Sequence, residues 1–310
     1  YYLTGTDTLD EDGLAALRSR ILDLSTPWDV RLYDAIKEDS GTDTAEKLAV
    51  KYGAAFDEVY RLNRPTNESL RDIRLLEELE SGRSVIADVF TERRGRLYLR
   101  IYQRENILLS HMLPVLDDFG LVIIDQFADP VALPSGETRT IDTFRLQSVP
   151  GVSTEDVIAR GHHLAAAIEA VFAGDVGSDA LNRLLLQANL PWQAVDMLRA
   201  YHGYATQLGF YYTLDRVQDI MLSKSEMVGL LWAYFTARFD PDLQGDRAEI
   251  MAAAAEAFED ALRNLEAHDQ DMVFRTFYNL IQSSIRTNFY RTDRKFHYLS
   301  FKIRCADVTN

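Results

Sequence analysis

Ser84-Val85-Ile86-Ala87-Asp88-Val89-Phe90 decides the fold, because the apolar period changes there from helical to alternating. Val85, Ala87 and Val89 alternate with Ile86, Asp88 and Phe90. After the turn signal Arg93-Arg94-Gly95, Leu97, Leu99 and Ile101 alternate with Tyr98, Arg100 and Tyr102. Two alternating runs joined by a glycine turn predict a β-hairpin. Leu109, Leu113 and Leu116 then have the spacing of a short helix ended by Gly120. Pro114 sits awkwardly inside it, so that helix starts late or is kinked. Leu121–Phe127 and Arg139–Ser148 predict two further strands. Ser153-Thr154-Glu155-Asp156 caps one long helix with Val157, Gly161, Leu164, Ile168 and Phe172 on its buried face. The order strand-strand-helix-strand-strand-helix predicts a four-stranded sheet with two helices on one face, which buries both helix stripes at once.

Working outward, residues 9–80 are helical in pattern. Leu14, Leu17, Ile21 and Leu24 have the spacing of one buried helix face. Thr26-Pro27 opens a second helix, with Thr26 as N-cap and Trp28, Leu32 and Ile36 as its apolar stripe. A third is expected from Thr44 to Tyr52, stopped by a left-handed cap at Gly53. A fourth, after Pro65, carries Leu70, Ile73, Leu76 and Leu79. Downstream, helices open at Ser178, Pro191, Thr213 and Ser225, an alanine-rich one spans Asp246–His268, and a last one runs from Asp271 to Phe289. Phe296–Ile303 then has the pattern of a lone strand. Its backbone groups need partners, so it pairs either far back in the chain or with a domain absent from this sequence. We expect the second.

The 310 residues carry 33 Lys and Arg against 48 Asp and Glu, a net charge of −15. That excludes a generic nucleic-acid binder, which needs a basic face to displace phosphate counterions. It also argues against binding to anionic membranes. No stretch approaches the roughly 18 apolar residues of a membrane helix. Tyr1-Tyr2-Leu3-Thr4 is not a signal peptide and has no initiator Met, so a processed chain or a piece of a longer one is expected. Cys305 is the single cysteine, which suits a reducing cytoplasm.

The sixteen glycines never fall as Gly-x-Gly, so the dinucleotide-binding fingerprint is missing. Gly-Lys-Ser/Thr, Gly-x-Ser-x-Gly and His-Glu-x-x-His are missing too. His162 and His163 are helix neighbours pointing about 100° apart, a poor chelating pair. Asp240-Pro241-Asp242-Leu243-Gln244-Gly245 resembles the start of a calcium loop, but its twelfth position is Met251 where a bidentate Glu is required. It is an interhelical turn. Asp10-Glu11-Asp12 and Asp269-Gln270-Asp271 precede helices and complement their dipoles. No catalytic, cofactor-binding or metal-binding residue is assigned.

Arg275-Thr276-Phe277-Tyr278-Asn279-Leu280-Ile281, then Ile285-Arg286-Thr287-Asn288-Phe289-Tyr290, then Tyr298-Leu299-Ser300-Phe301-Lys302 resemble the large NAD-specific glutamate dehydrogenases. In that family a helix with an Arg-Thr-Asn-aromatic end leads into a Leu-Ser-Phe-Lys strand, where the catalytic domain opens. Asn182-Arg183-Leu184 through Gln187-Ala188-Asn189-Leu190-Pro191-Trp192, with Leu198-Arg199-Ala200-Tyr201 and Tyr204-Ala205-Thr206-Gln207, is a second matching block. Leu113-Pro114-Val115-Leu116 with Phe119-Gly120-Leu121, and Lys51-Tyr52-Gly53-Ala54-Ala55-Phe56, extend the resemblance over almost the whole chain.

The resemblance implies a non-catalytic, N-terminal region of such an enzyme, regulatory and oligomerising, and inactive alone. The full chain would be a cytoplasmic homo-oligomer that oxidatively deaminates L-glutamate to 2-oxoglutarate and ammonium with reduction of NAD. The segment itself would hold no cofactor. Its partners would be its own catalytic domain, other subunits and an amino-acid effector, with no nucleic acid and no membrane. The implied fold is α+β and mostly helical, with one ACT-like four-stranded antiparallel sheet module flanked by helical domains. Its divisions are a helical segment 1–82, the ACT-like module 83–175, a helical domain 176–292, and the strand 293–310 leading into an absent catalytic domain. A standard ACT module runs strand-helix-strand-strand-helix-strand. Nothing after Phe172 supplies the closing strand, which Val85–Phe90 would replace from the other end. An effector pocket of the ACT kind would involve the turn with Gln103, Arg104, Glu105 and Asn106 and the Gly120 corner. A stand-alone ACT-like module for amino-acid sensing or protein interaction is the alternative.

Overall fold

The computed structural model describes residues 10–64, 66–92, 95–147, 149, 151–293 and 297–308. The chain is α+β and more than half helical, as its sequence predicts. Five helices come first: α1 (Glu11–Ser25), α2 (Trp28–Ser40), α3 (Thr42–Tyr52), α4 (Glu58–Asn63) and α5 (Thr66–Glu80). The α/β part follows as β1 (Val85–Thr91), β2 (Leu97–Gln103), α6 (Leu109–Asp118), β3 (Ile123–Ala132), β4 (Thr138–Leu146), α7 (Thr154–Ala159) and α8 (Gly161–Phe172). A helical part contains α9 (Leu184–Gln187), α10 (Trp192–Gln207), α11 (Leu214–Ser223), α12 (Ser225–Phe239), α13 (Arg247–Arg263) and α14 (His268–Ser283). The chain closes with β5 (Ser284–Thr287) and β6 (Phe301–Ile303).

Two compact units divide these elements. The first comprises Tyr1–Ser84, Tyr102–Asn106 and Phe127–Asp142; the second comprises Val85–Ile101, Ile107–Gln126 and Thr143–Asn310. In the first, α2 packs on α3 and α5 through Trp28, Leu32 and Ile36, all buried. Phe56 stacks on Tyr60 at 4.2 Å between centroids and meets Trp28 edge-on at 5.7 Å. Leu14 and Ile21 are 45% and 50% exposed, so the expected buried face of α1 does not form among the described residues. Gly53 is right-handed (φ −56°, ψ −32°), not a left-handed cap, because α3 runs on into a turn in which Ala55 N–H reaches the Tyr52 carbonyl. Gly41, between α2 and α3, takes a positive φ of 86°.

The sheet is antiparallel, in the order β1-β2-β4-β3. Moving the last strand of a strand-helix-strand-strand-helix-strand module to its front yields this chain order. The sheet is thus a circular permutation of the ferredoxin-like arrangement, with β1 as the relocated closing strand. Gly95, at φ 69°, donates to the Glu92 carbonyl at 2.8 Å and turns the β1–β2 hairpin; Arg93 and Arg94 lie outside the described residues. Every residue of β2 is buried. Leu97, Leu99 and Ile101 join Met112 and Leu116 of α6 and Leu164 and Ile168 of α8 in one apolar core.

The expected stripe of α6 is displaced: Leu109 and Leu113 are exposed, while Met112, Leu116 and Phe119 are buried. The helix carries Pro114 in its interior. It ends in a Schellman cap, with Gly120 N–H bonded to the Asp117 carbonyl and Leu121 N–H to the Leu116 carbonyl. Gly120 adopts φ 74° there, which a side chain disfavours.

The expected long helix after Ser153 is two helices, with the chain breaking at Arg160 (φ −95°, ψ 2°). The Arg160 guanidinium bonds the Leu186 carbonyl and the Asp156 carboxylate, a tertiary clamp that holds the break. Ser153 caps α7 as predicted, its Oγ accepting from Asp156 N–H at 3.0 Å. Ser178 does not cap its helix. Asp179 accepts from Leu181 N–H instead, and the Ser178 hydroxyl bonds Asp118.

The final strand is not an orphan. Here β6 pairs antiparallel with β5, placing Ser284 opposite Ile303 and Thr287 opposite Phe301. Ser284-Ile285-Arg286-Thr287 reads as helix by spacing, but α14 ends at Ser283 because Arg238 donates to the carbonyls of Gln282 and Ser284. Those C-terminal carbonyls have no partner within the helix, and the guanidinium satisfies them. Tyr201 Oη bonds Ser284 Oγ at 2.9 Å beneath the strand.

Gly161 opens α8 at its contact with β1. A Cβ there would stand 3.3 Å from Val89 Cβ. Gly161→Val should therefore push α8 off β1 and cost about 1–3 kcal/mol, read as a lowered midpoint in urea unfolding. A midpoint at or above that of the parent chain would contradict this packing.

Candidate functional site

Gln103, Arg104, Glu105 and Asn106 fall in the first unit and Gly120 in the second. At the end of β2, Gln103 is fully buried and donates its side-chain amide to Asp142, itself 5% exposed. Arg104, Glu105 and Asn106 are exposed, and Arg104 N–H is tied to the Ser84 carbonyl at 3.0 Å. Thus the turn places one buried amide and three solvent-facing side chains, anchored at its start.

Around that turn the first unit concentrates its buried charge. Arg139 has a side chain only 4% exposed. Its Nε donates to Glu80 Oε1 at 2.6 Å and its Nη2 to Glu137 Oε2 at 2.9 Å. The Arg139 hydrogen bond holds the Glu80 carboxyl below its ordinary range. Asp72, fully buried, accepts from Tyr60 and Tyr102, each at 2.6 Å. Burial, reinforced by the Asp72 charge, pushes the Tyr60 hydroxyl up, so it remains a donor. An open cleft of about 400 Å³ beside this network is lined by Lys47, Lys51, Glu80, Leu133 and Glu137. The arrangement presents fixed opposite charges, with the Ser135 hydroxyl donating to Glu137 Oε2 at 3.3 Å on the rim of the cleft.

In the second unit Gly120 borders a cavity of about 190 Å³, with Asp117, Phe119, Val122, Val149, Arg183 and Gln187 in its walls. Gly120 lines this cavity from the corner leading to β3. The sequence reading left out Arg183. Nothing in the sequence pairs it with the glycine; the fold lays its side chain across the Cβ-less corner.

Elsewhere, the rings of His162 and His163 approach to 4.0 Å between centroids, closer than neighbours on a helix suggest. Partial burial, then the neighbouring His162, pushes His163 down. Among the described residues no group of three or more His, Cys, Asp or Glu is placed to hold a metal. No helix among them is long and apolar enough to cross a membrane.

The permuted sheet with α6, α7 and α8, followed by a helical part, defines a ferredoxin-like α+β chain. Family models agree segment by segment. Residues 86–157 match the glutamate dehydrogenase ACT3 domain, 176–241 match glutamate dehydrogenase helical motif 3, and 257–310 match the catalytic domain of bacterial NAD-glutamate dehydrogenase. The last match begins within α13, upstream of the division the sequence suggests at residue 293. The NAD-specific glutamate dehydrogenase of Mycobacterium tuberculosis is 29% identical over 303 residues, covering 94% of this chain and 18% of that protein. That of Halomonas elongata is 28% identical over 306 residues, covering 96% and 19%. That of Pseudomonas aeruginosa is 24% identical, covering 93% and 18%. The chain is similar along almost its whole length to the large NAD-specific glutamate dehydrogenases, and it spans less than a fifth of the length of these relatives.

The Glu80–Arg139 pair sets a pH dependence. A carboxylate whose folded pKa lies below its ordinary 4.5 stabilises the fold fully above that value. The contribution is lost as pH falls through the lowered folded value. Glu80→Gln should cost about 1–3 kcal/mol at neutral pH by weakening the hold on buried Arg139. The difference from the parent chain should shrink on acidification below pH 4.5. Urea unfolding at a series of pH values checks this, and a difference that grows in acid would contradict it.

Proposed function

We propose that this chain is the regulatory and assembly region of an NAD-specific glutamate dehydrogenase, catalytically silent alone. The whole enzyme would be a cytoplasmic homo-oligomer, oxidatively deaminating L-glutamate to 2-oxoglutarate and ammonium and reducing NAD. The observation that carries this reading is the succession of three family matches in chain order, around a permuted ACT sheet at the expected place. Silence is supported by the missing Gly-x-Gly fingerprint. NAD belongs, on this reading, to the rest of the enzyme. The partners are the remainder of the catalytic domain, other subunits and an amino-acid effector.

A stand-alone ACT-like sensing or interaction module is the second reading. It is favoured by one observation, the internal pairing of β6 with β5, which frees the last strand from needing an outside partner.

The purified chain should produce no NADH from L-glutamate and NAD, and should sediment above its monomer mass of 35.3 kDa. Turnover by the isolated chain would overturn the first reading. A purely monomeric chain would remove its assembly role.

A further inference from the structure

The guanidinium of Arg183 stands at the Gly120 cavity with a single long hydrogen bond among the described residues. Its stem lies across the Gly120 corner: a Cβ on residue 120 would stand 3.3 Å from Arg183 Cγ, 3.5 Å from Cδ and 3.6 Å from Nε. The glycine therefore serves two ends, the left-handed Schellman cap and a flat seat for the arginine. Seated there, Arg183 forms no ion pair among the described residues. Its Nη2 reaches the Asp117 carbonyl at 3.5 Å, the outer limit of a hydrogen bond. Its Nε is buried with no hydrogen-bond partner among the described residues. A buried donor left unmade costs about 1–3 kcal/mol, and native proteins rarely leave one without cause.

The cavity beside this group has buried apolar walls in Phe119 and Val149. Gln187, at its edge, is exposed and carries a side-chain amide. The terminal Nη groups of a guanidinium form a fork that a planar carboxylate accepts in parallel, which no water or single carbonyl can reproduce. We propose that this cavity is a binding site for a small carboxylate, received by Arg183 and flanked by the amide of Gln187. The site combines the end of α6 in the ACT-type module with the short turn Ala180–Arg183 of the helical part. As an account of regulation it rests on the function proposed above; as a binding site it does not.

Calorimetric titration of the chain with propionate, L-alanine and L-glutamate, each against sodium chloride at equal ionic strength, tests it. At least one carboxylate should bind saturably, and Arg183→Gln should weaken that binding at least tenfold. Arg183→Lys should weaken it as well, since an ammonium keeps the charge but lacks the fork. In parallel, the Arg183 Nε–H resonance should shift with the same ligand concentration as the heat. No saturable binding of any of the three would overturn the proposal. So would unchanged binding by a folded Arg183→Gln chain, or binding that leaves the Nε–H resonance unmoved. The readout is binding by the isolated chain, so a failure here leaves the glutamate dehydrogenase reading to its own test of turnover.

Discussion

Burial of β2 along its whole length, from Leu97 to Gln103, is the constraint on which the rest of the fold depends. A strand covered on both faces must find apolar or satisfied partners for every side chain it carries. Leu97, Leu99 and Ile101 find the core made with α6 and α8. On the alternate positions, Arg100 is 1% exposed, with its guanidinium 4.8 Å from the Phe90 ring and its Nε bonded to Thr143 Oγ1 at 3.2 Å. Tyr102 donates to Asp72 and Gln103 to Asp142. A central strand of this kind needs a neighbour on each side. Chain order supplies β1 from the front and β4 from the back.

The permutation follows from that need. An ACT-like module whose closing strand came after α8 would have to draw it from the sequence after Phe172, which turns instead into the helical part at Ala180. The hairpin at Gly95 provides the strand with a short, local connection. Sequence alternation in Val85–Phe90 announces it plainly, so the architecture of the sheet was legible from the chain alone. So were the caps at Ser153 and Thr213, where the side-chain chemistry is local.

What could not be read was fixed by contacts distant in sequence. The break at Arg160 interrupts an unbroken helical spacing of apolar residues, with only Gly161 beside it as a local sign; it is held by a bond to the Leu186 carbonyl. The passage from α14 into β5 has an unbroken helical spacing, and Arg238, forty-odd residues upstream, ends the helix. The lone-strand reading of Phe296–Ile303 failed for that reason, since its partner was hidden inside an expected helix. For the candidate site, the glycine at position 120 stood out by sequence, but its arginine did not. Arg183 is an ordinary charged residue until the fold lays it across that corner.

Native-state hydrogen exchange over the sheet tests the central claim most directly. If β1 is the relocated closing strand, the amides of Val85–Thr91 that pair with β2 should open only together with those of Leu97–Gln103, in one cooperative event. Exchange of β1 at the rate of a frayed segment, while β2, β4 and β3 stay protected, would contradict the account.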